Sequence, residues 1–141
     1  MAEGKSIHDL KVGDSAEWSR TVTEEDIELF AKATGDFNPV HLDQAYAEKT
    51  MFKGRIAHGV LSLGFISTVL GNILPGHGTI YLSQEVKFLA PVKIGDTLTV
   101  RVEVLELLPE KNRAKFRTIC TNQDGKVVVD GIAWGMPPVG E

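Results

Sequence analysis

The chain has 141 residues, 43% hydrophobic and 24% charged, so it is long enough to bury one substantial core and shows no compositional sign of disorder. Its formal net charge is -4 and its Lys and Arg residues are scattered, which argues against nucleic acid as a partner because phosphate backbones are bound by basic surfaces. The single cysteine, Cys120, excludes a disulfide within the chain and is expected to pack as a small apolar side chain. We therefore expect one domain over residues 1–141.

The N-terminal segment and the most apolar stretch of the chain both bear on its location. Residues 1–10 contain no apolar run of the kind found in secretory signals. The stretch from Val60 to Leu74 is shorter than the ~20 residues that span a bilayer, and it contains polar residues. Together with the sparse use of cysteine, these features predict a cytoplasmic protein with no membrane partner.

The first predicted elements are a short strand and a helix. Trp18 and the β-branched residues after it favour a strand over 15–22, following a turn at Gly13. Thr23 is a good N-cap for the helix, because its hydroxyl can accept a backbone N–H and three acidic residues follow in the first turn. Gly35 is expected to end this helix in a left-handed conformation.

Residues 36–41, with the sequence Asp-Phe-Asn-Pro-Val-His, form the next predicted feature. Asn38 can cap a fresh helical turn, and Pro39 suits its first position because the missing N–H would have no partner there. The residues of this turn therefore predict a rigid loop. A second short helix is expected over 44–50, capped by Asp43.

A long apolar helix and four strands account for the rest of the chain. The helix begins at Gly59 and runs to about Leu74, and its apolar residues are spread around most of its circumference, so other elements must enclose it. The strands are predicted as an antiparallel meander over 79–88, 97–108, 114–122 and 126–135. This pattern predicts an α+β fold in which a curled antiparallel sheet wraps a long apolar central helix, the hot-dog fold. A two-layer sandwich is the alternative, but it would expose one side of the helix.

Few motifs of catalytic chemistry are present. The sequence has no Gly-x-Ser-x-Gly, no phosphate-binding Gly-Lys-Ser/Thr loop and no Gly-x-Gly-x-x-Gly after a strand. Its four histidines lack the helical or finger spacing of metal ligands, so no metal is expected.

Asp36 and His41 remain as a candidate pair, five residues apart across the proline-stiffened turn. A carboxylate and an imidazole around one water can perform hydration, since one group takes a proton from water while another protonates carbon. The structural alternative is that Asp36 only caps the turn and His41 is a solvated helix residue.

The run from Phe30 to His41, which ends in Gly-Asp-Phe-Asn-Pro-Val-His, resembles the signature of the MaoC-like (R)-specific enoyl-CoA hydratases, also called hydratase 2. The similarity continues through Arg-Ile-Ala-His-Gly at 55–59, the apolar helix, residues 81–91 and Gly-Asp at 95–96, so it covers nearly the whole chain. The resemblance implies a hot-dog fold, the reversible hydration of trans-2-enoyl-CoA to (R)-3-hydroxyacyl-CoA, and a catalytic pair at Asp36 and His41.

Four further residues are candidates for the site. The resemblance implies that the backbone N–H of Gly59 is the oxyanion donor, which agrees with its place at the start of the apolar helix, where free N–H groups collect. It also aligns Ser67, eight residues later, with a serine near the reacting centre of related hydratases. Asn38 could support the catalytic pair by capping its turn, and His58 could fix the loop or cap the helix start.

Three functions stay compatible with these residues. A hydratase is favoured by the Asp-x-Asn-Pro-x-His string, while an acyl-CoA thioesterase of the same fold and a non-catalytic acyl-thioester binding module are the alternatives. No cofactor is expected, because coenzyme A enters as part of the substrate. The resemblance also implies a homodimer joined sheet edge to sheet edge, which would protect an exposed edge strand, with a higher oligomer as the alternative.

Several properties stay open at this point. The sequence does not define the acyl chain length, the pathway (fatty acid metabolism or supply of polyhydroxyalkanoate precursors), or which of Asp36 and His41 is the base. Lys53 and Arg55 could meet coenzyme A phosphates or lie in a solvated loop.

Overall fold

The computed structural model describes residues 3–140, which form five strands and four α-helices. The strands are β1 (Ser15–Thr21), β2 (Ile80–Phe88), β3 (Thr97–Leu108), β4 (Arg113–Thr121) and β5 (Val127–Met136). The helices are α1 (Glu24–Thr34), α2 (Pro39–Leu42), α3 (Gln44–Glu48) and α4 (Gly59–Asn72). Each lies where the sequence predicted an element, and its ends fall close to the predicted ones.

The ends of α1 follow from its capping residues. The Thr23 hydroxyl accepts the Asp26 N–H at 3.1 Å, and the Asp26 carboxylate accepts the Thr23 N–H at 3.1 Å, which forms a capping box. Gly35 ends the helix at φ 81°, a conformation strained for residues with a Cβ, and its N–H donates to the Ala31 carbonyl at 2.8 Å. The chain therefore leaves α1 in a defined direction, directly before Asp36.

The five strands form one antiparallel sheet in the order β1-β3-β4-β5-β2. The predicted meander is correct for β3, β4 and β5 but wrong for β2, which pairs with β5 at the far edge instead of with β3. The reason is the connection at 89–96, which is longer than a tight hairpin turn. It runs past the start of α4, where the Ala57 N–H donates to the Val92 carbonyl at 2.7 Å.

The core lies between the inner face of the sheet and α4. Alternate residues of β3 point inward and are fully buried: Leu98, Val100, Val102 and Val104. From α4, Phe65 packs edge to face against Trp18 of β1, with ring centroids 5.8 Å apart. Cys120 is buried in the same core as predicted, and burial raises the pKa of its thiol to about 12.

The sheet covers most of α4 but leaves one stripe of it exposed. Val60, Gly64 and Ser67 lie on this stripe, and Val60 is 54% exposed. The predicted enclosure of the helix is therefore incomplete within a single chain. Among residues 3–140, none of the helices combines the length and the apolar character needed to cross a membrane.

Candidate active site

Hydrogen bonds hold both ends of the turn between Asp36 and His41. Asn38 caps α2 through its side-chain oxygen, which accepts the Val40 N–H at 3.2 Å. The Asn38 N–H donates to the Asp36 carboxylate at 3.2 Å, and the Asn38 carbonyl accepts the His41 N–H at 3.0 Å. Asn38 thus contacts both members of the candidate pair, which is the geometry that its predicted supporting role requires.

The orientation of His41 is set by its Nδ1, which lies 2.7 Å from the Ile56 carbonyl oxygen. A carbonyl only accepts, so Nδ1 carries the hydrogen and Nε2 holds the lone pair. His41 is 9% exposed, and burial lowers the pKa of its ring below the ordinary value. The Ile56 hydrogen bond opposes this change, His58 adds to it, and the Asp36 charge raises the pKa of His41. The balance favours a neutral imidazole whose Nε2 can accept a proton.

Asp36 and His58 lie next to His41. A carboxylate oxygen of Asp36 and a ring nitrogen of each histidine all lie within 4.8 Å of one another. Two hydrogen bonds of about 2.8 Å that meet at one water span roughly this distance, so Asp36 and His41 can share a water molecule. The His41 and His58 rings stack with centroids 3.9 Å apart and planes inclined by 30°. His41 and His58 are far apart in sequence, so the sequence alone did not predict that their rings are in contact.

The same three residues are a candidate metal-binding set by distance alone. His41 Nδ1 and His58 Nε2 already donate to carbonyls, so the available ligand atoms are His41 Nε2, His58 Nδ1 and the Asp36 carboxylate. A metal needs the in-plane lone pairs of its two imidazole ligands to converge. Each lone pair lies in the plane of its own ring, and the two planes are inclined by only 30° with centroids 3.9 Å apart, so this arrangement fits hydrogen bonding better than one metal ion held by both rings.

A cavity of about 520 Å³ opens beside His41 and the first turn of α4. Its wall is mostly apolar and includes Met51, Phe52, Ile56, Phe88, Leu89 and Val92. Gly59 also lines the cavity, and a Cβ at this position would come within 3.0 Å of the Phe88 ring. The positive end of the α4 dipole and the free N–H of Gly59 are therefore available to an oxygen in the cavity. His41 and Gly59 face one space, whereas Asp36 is exposed at its side.

The two serines of α4 differ in burial. Ser67 is exposed, as Gly59 is, and lies about 80° around the helix from it, but it is not among the residues that line this cavity. Its supporting role stays a prediction. Ser62, which the sequence analysis missed, is 2% exposed and lines the cavity. Its position three residues after Gly59 was the available signal.

Arg55 does not lie in a solvated loop. Its side chain is 10% exposed, its Nε donates to the His41 carbonyl at 2.7 Å, and its guanidinium pairs with Glu24 at 2.7 Å. These two contacts use Nε and Nη1, so Arg55 supports the His41 backbone, and its contact with coenzyme A stays a prediction. Lys53 is exposed, and its contact with substrate stays a prediction.

A five-stranded antiparallel sheet curled against one apolar helix defines the hot-dog class of domain. Within that class, the chain belongs to the MaoC-like domain family, whose family model matches residues 10–129. Residues 36–41 and Gly59 all fall inside the matched region.

Named relatives and solved structures agree with this assignment. The chain is 55% identical over 132 residues to a protein of Rhodospirillum rubrum named (R)-specific enoyl-CoA hydratase. This match covers 94% of this chain and 91% of the relative. It is 47% identical over 127 residues to a 3-hydroxybutyryl-CoA dehydratase of Methylorubrum extorquens, covering 90% of this chain and 80% of the relative. The unliganded R-hydratase PhaJ1 of Pseudomonas aeruginosa superposes with a TM-score of 0.92 at 52% identity, covering 97% of this chain and 88% of that one.

Proposed function

We propose that this chain is an (R)-specific enoyl-CoA hydratase, a hydro-lyase that reversibly adds water to trans-2-enoyl-CoA to give (R)-3-hydroxyacyl-CoA. The observation that carries the proposal is the placement of Asp36 and His41 within reach of one water, beside a cavity that also presents the Gly59 N–H. The (R) configuration and the coenzyme A thioester come from the names of the relatives from Rhodospirillum rubrum and Methylorubrum extorquens.

The reaction begins with the thioester carbonyl oxygen accepting the Gly59 N–H, which stabilises the negative charge that develops there. One donor of this kind is worth about 3 to 4 kcal/mol in a transition state. His41 Nε2 and the Asp36 carboxylate hold the water over C3. As the O–C3 bond forms, His41 takes a proton from water and the electrons of the C2=C3 bond move towards the thioester oxygen.

In the second step, the proton that His41 took from water passes to C2. Burial disfavours the His41 imidazolium and lowers the pKa of its ring, so the imidazolium readily protonates C2. The enolate collapses to the thioester, one water has been added, and both side chains return to their starting states. Since the hydroxyl and the proton come from one side of the double bond, the addition is syn.

A single assay with crotonyl-CoA tests the function. The ultraviolet absorbance of the conjugated thioester should fall with no release of free thiol. Release of thiol would instead indicate a thioesterase, and no change with crotonyl-CoA or with a longer enoyl-CoA would indicate a binding module. Either result would contradict the proposal.

We also propose a cytoplasmic homodimer, joined along β2. This strand is an edge of the sheet, and its exposed apolar residues Ile80 and Leu82 are 54% and 42% exposed. Pairing with a second copy would satisfy the open backbone groups of the edge and cover these side chains. Sedimentation equilibrium should give about twice the chain mass of 15.4 kDa, and a mass of 15.4 kDa would contradict the dimer.

A further inference from the structure

His58 is a buried polar side chain of the site, 2% exposed, and it contacts both members of the catalytic pair. Its Nε2 lies 3.0 Å from the Asp36 backbone carbonyl, so Nε2 carries the hydrogen and donates it. Its Nδ1 is buried, and no residue within 3–140 offers it a hydrogen-bond partner. The His58 ring therefore holds the Asp36 backbone through Nε2 and turns its unpartnered Nδ1 into the buried part of the site.

The His58 side chain does not cap α4, although sequence analysis allowed that role. The residue occupies the N-cap position of α4, yet its side chain makes no capping hydrogen bond. The ring instead stacks on His41 at 3.9 Å and contacts Phe30 at 4.7 Å. One residue thus joins the Asp36 loop, the His41 turn and the helix start at Gly59.

We propose that His58 is a positioning residue for the hydration reaction: its ring packs on His41, holds it in the orientation that the Ile56 hydrogen bond sets, and maintains the spacing between His41 and Asp36 without touching substrate. The inference rests on the proposed hydratase function. The turn between Asp36 and His41 is held by its own hydrogen bonds, but α2 has only four residues and Asp36 is exposed, so the spacing of the two side chains also depends on contacts from outside the turn. A displacement of 1 Å between reacting groups can reduce a rate by about 100-fold.

Removal of the His58 ring also has a predictable electrostatic effect. The groups that face His41 are the Asp36 carboxylate, the His58 ring, and Arg55, which donates to the His41 carbonyl and is paired with Glu24. Without His58, the site admits water, and the effect by which His58 lowers the pKa of His41 is lost, while the charge of Asp36 remains. Both changes favour the imidazolium, so the pKa of His41 should rise.

Two substitutions separate the functions of the ring. His58→Gln keeps an N–H that can reach the Asp36 carbonyl but removes the stacked ring, whereas His58→Phe keeps a ring but removes the donor. Each should lower kcat on crotonyl-CoA by about 10- to 100-fold, with little change in KM. In His58→Gln, NMR titration of the His41 ring protons should shift to higher pH. His8→Gln, at an exposed histidine far along the chain, is the matched control and should keep the wild-type rate.

Three outcomes would overturn the proposal. The first is wild-type kcat in both variants with circular dichroism showing that they fold. The second is an unchanged His41 titration in His58→Gln; this measurement needs no turnover, so it stands even if the wild-type protein fails to hydrate crotonyl-CoA. The third is failure of both variants to fold, which would make His58 a residue of stability alone.

Discussion

Substitution of Gly59 by alanine offers the sharpest test of the oxyanion role. The backbone of Gly59 has helical geometry and is not among the residues with positive φ, so alanine can adopt it without strain. The new Cβ would lie 3.0 Å from two carbons of the Phe88 ring and would occupy the part of the cavity beside the N–H. The N–H is retained, but a thioester carbonyl can no longer approach it closely.

The expected change in stability of the Gly59→Ala variant is small, whereas the expected loss of activity is large. Alanine is favoured over glycine in a helix by up to about 1 kcal/mol, which offsets part of the crowding against Phe88. Phe88 is 50% exposed at the end of β2, so its ring can move aside at modest cost. The melting temperature should therefore change by only a few degrees. Loss of one oxyanion contact should lower kcat/KM by about 100- to 1,000-fold.

The assay is the initial rate of crotonyl-CoA hydration followed by ultraviolet absorbance. Gly71→Ala is the matched control, since it lies on the same helix about 18 Å further along and its Cβ would meet no atom within 4 Å. This variant should hydrate crotonyl-CoA at the wild-type rate. A folded Gly59→Ala variant with wild-type kcat/KM would refute the assignment of the oxyanion donor.

Four further predictions concern the pair and its surroundings. Asp36→Asn and His41→Ala should each slow turnover by about 100-fold or more, and near-normal rates in both would remove them from the mechanism. Because burial lowers the pKa of His41, the acidic limb of kcat/KM should lie below about 6.5, and a limb above it would be inconsistent with a buried base. Arg55→Lys should lower kcat by about 10-fold, because lysine cannot make the forked contacts of the guanidinium with the His41 carbonyl and Glu24. Arg101→Lys, at an exposed ion pair, is the control and should leave kcat unchanged. Equal effects in the two variants would contradict the support of His41 by Arg55. Dialysis against EDTA should leave the rate of hydration unchanged. A rate that falls and is restored by zinc would contradict the inference that the stacked rings of His41 and His58 do not hold a metal ion.

The lowered pKa of His41 also links pH to stability. The unfolded chain binds this proton at a higher pH than the folded one does. The free energy of unfolding should therefore rise with pH between the folded pKa of His41 and its ordinary value. Urea unfolding at several pH values measures this slope, which His41→Ala should remove.

Local signals in the sequence were sufficient to predict the elements. Thr23, Gly35 and Asn38 act through their own backbone and near neighbours, so their capping and turn roles could be read directly from residue type. The short turn made Asp36 and His41 a candidate pair in the same way, but the resemblance to the MaoC-like hydratases, and not the spacing, assigned them a catalytic role.

Features that depend on long-range packing could not be read in this way. The edge position of β2 depends on pairing with β5, a strand distant in sequence, and no local residue encodes it. The stack of His58 on His41 and the contact of Arg55 with the His41 carbonyl arise only when the start of α4 packs against α2.

A crystal structure of the product complex with (R)-3-hydroxybutyryl-CoA tests the central claim most directly. The C3 hydroxyl oxygen should lie about 3 Å from both His41 Nε2 and the Asp36 carboxylate, and the thioester oxygen about 3 Å from the Gly59 nitrogen. A thioester oxygen bound away from Gly59, or a C3 hydroxyl that contacts neither side chain, would contradict the proposed site.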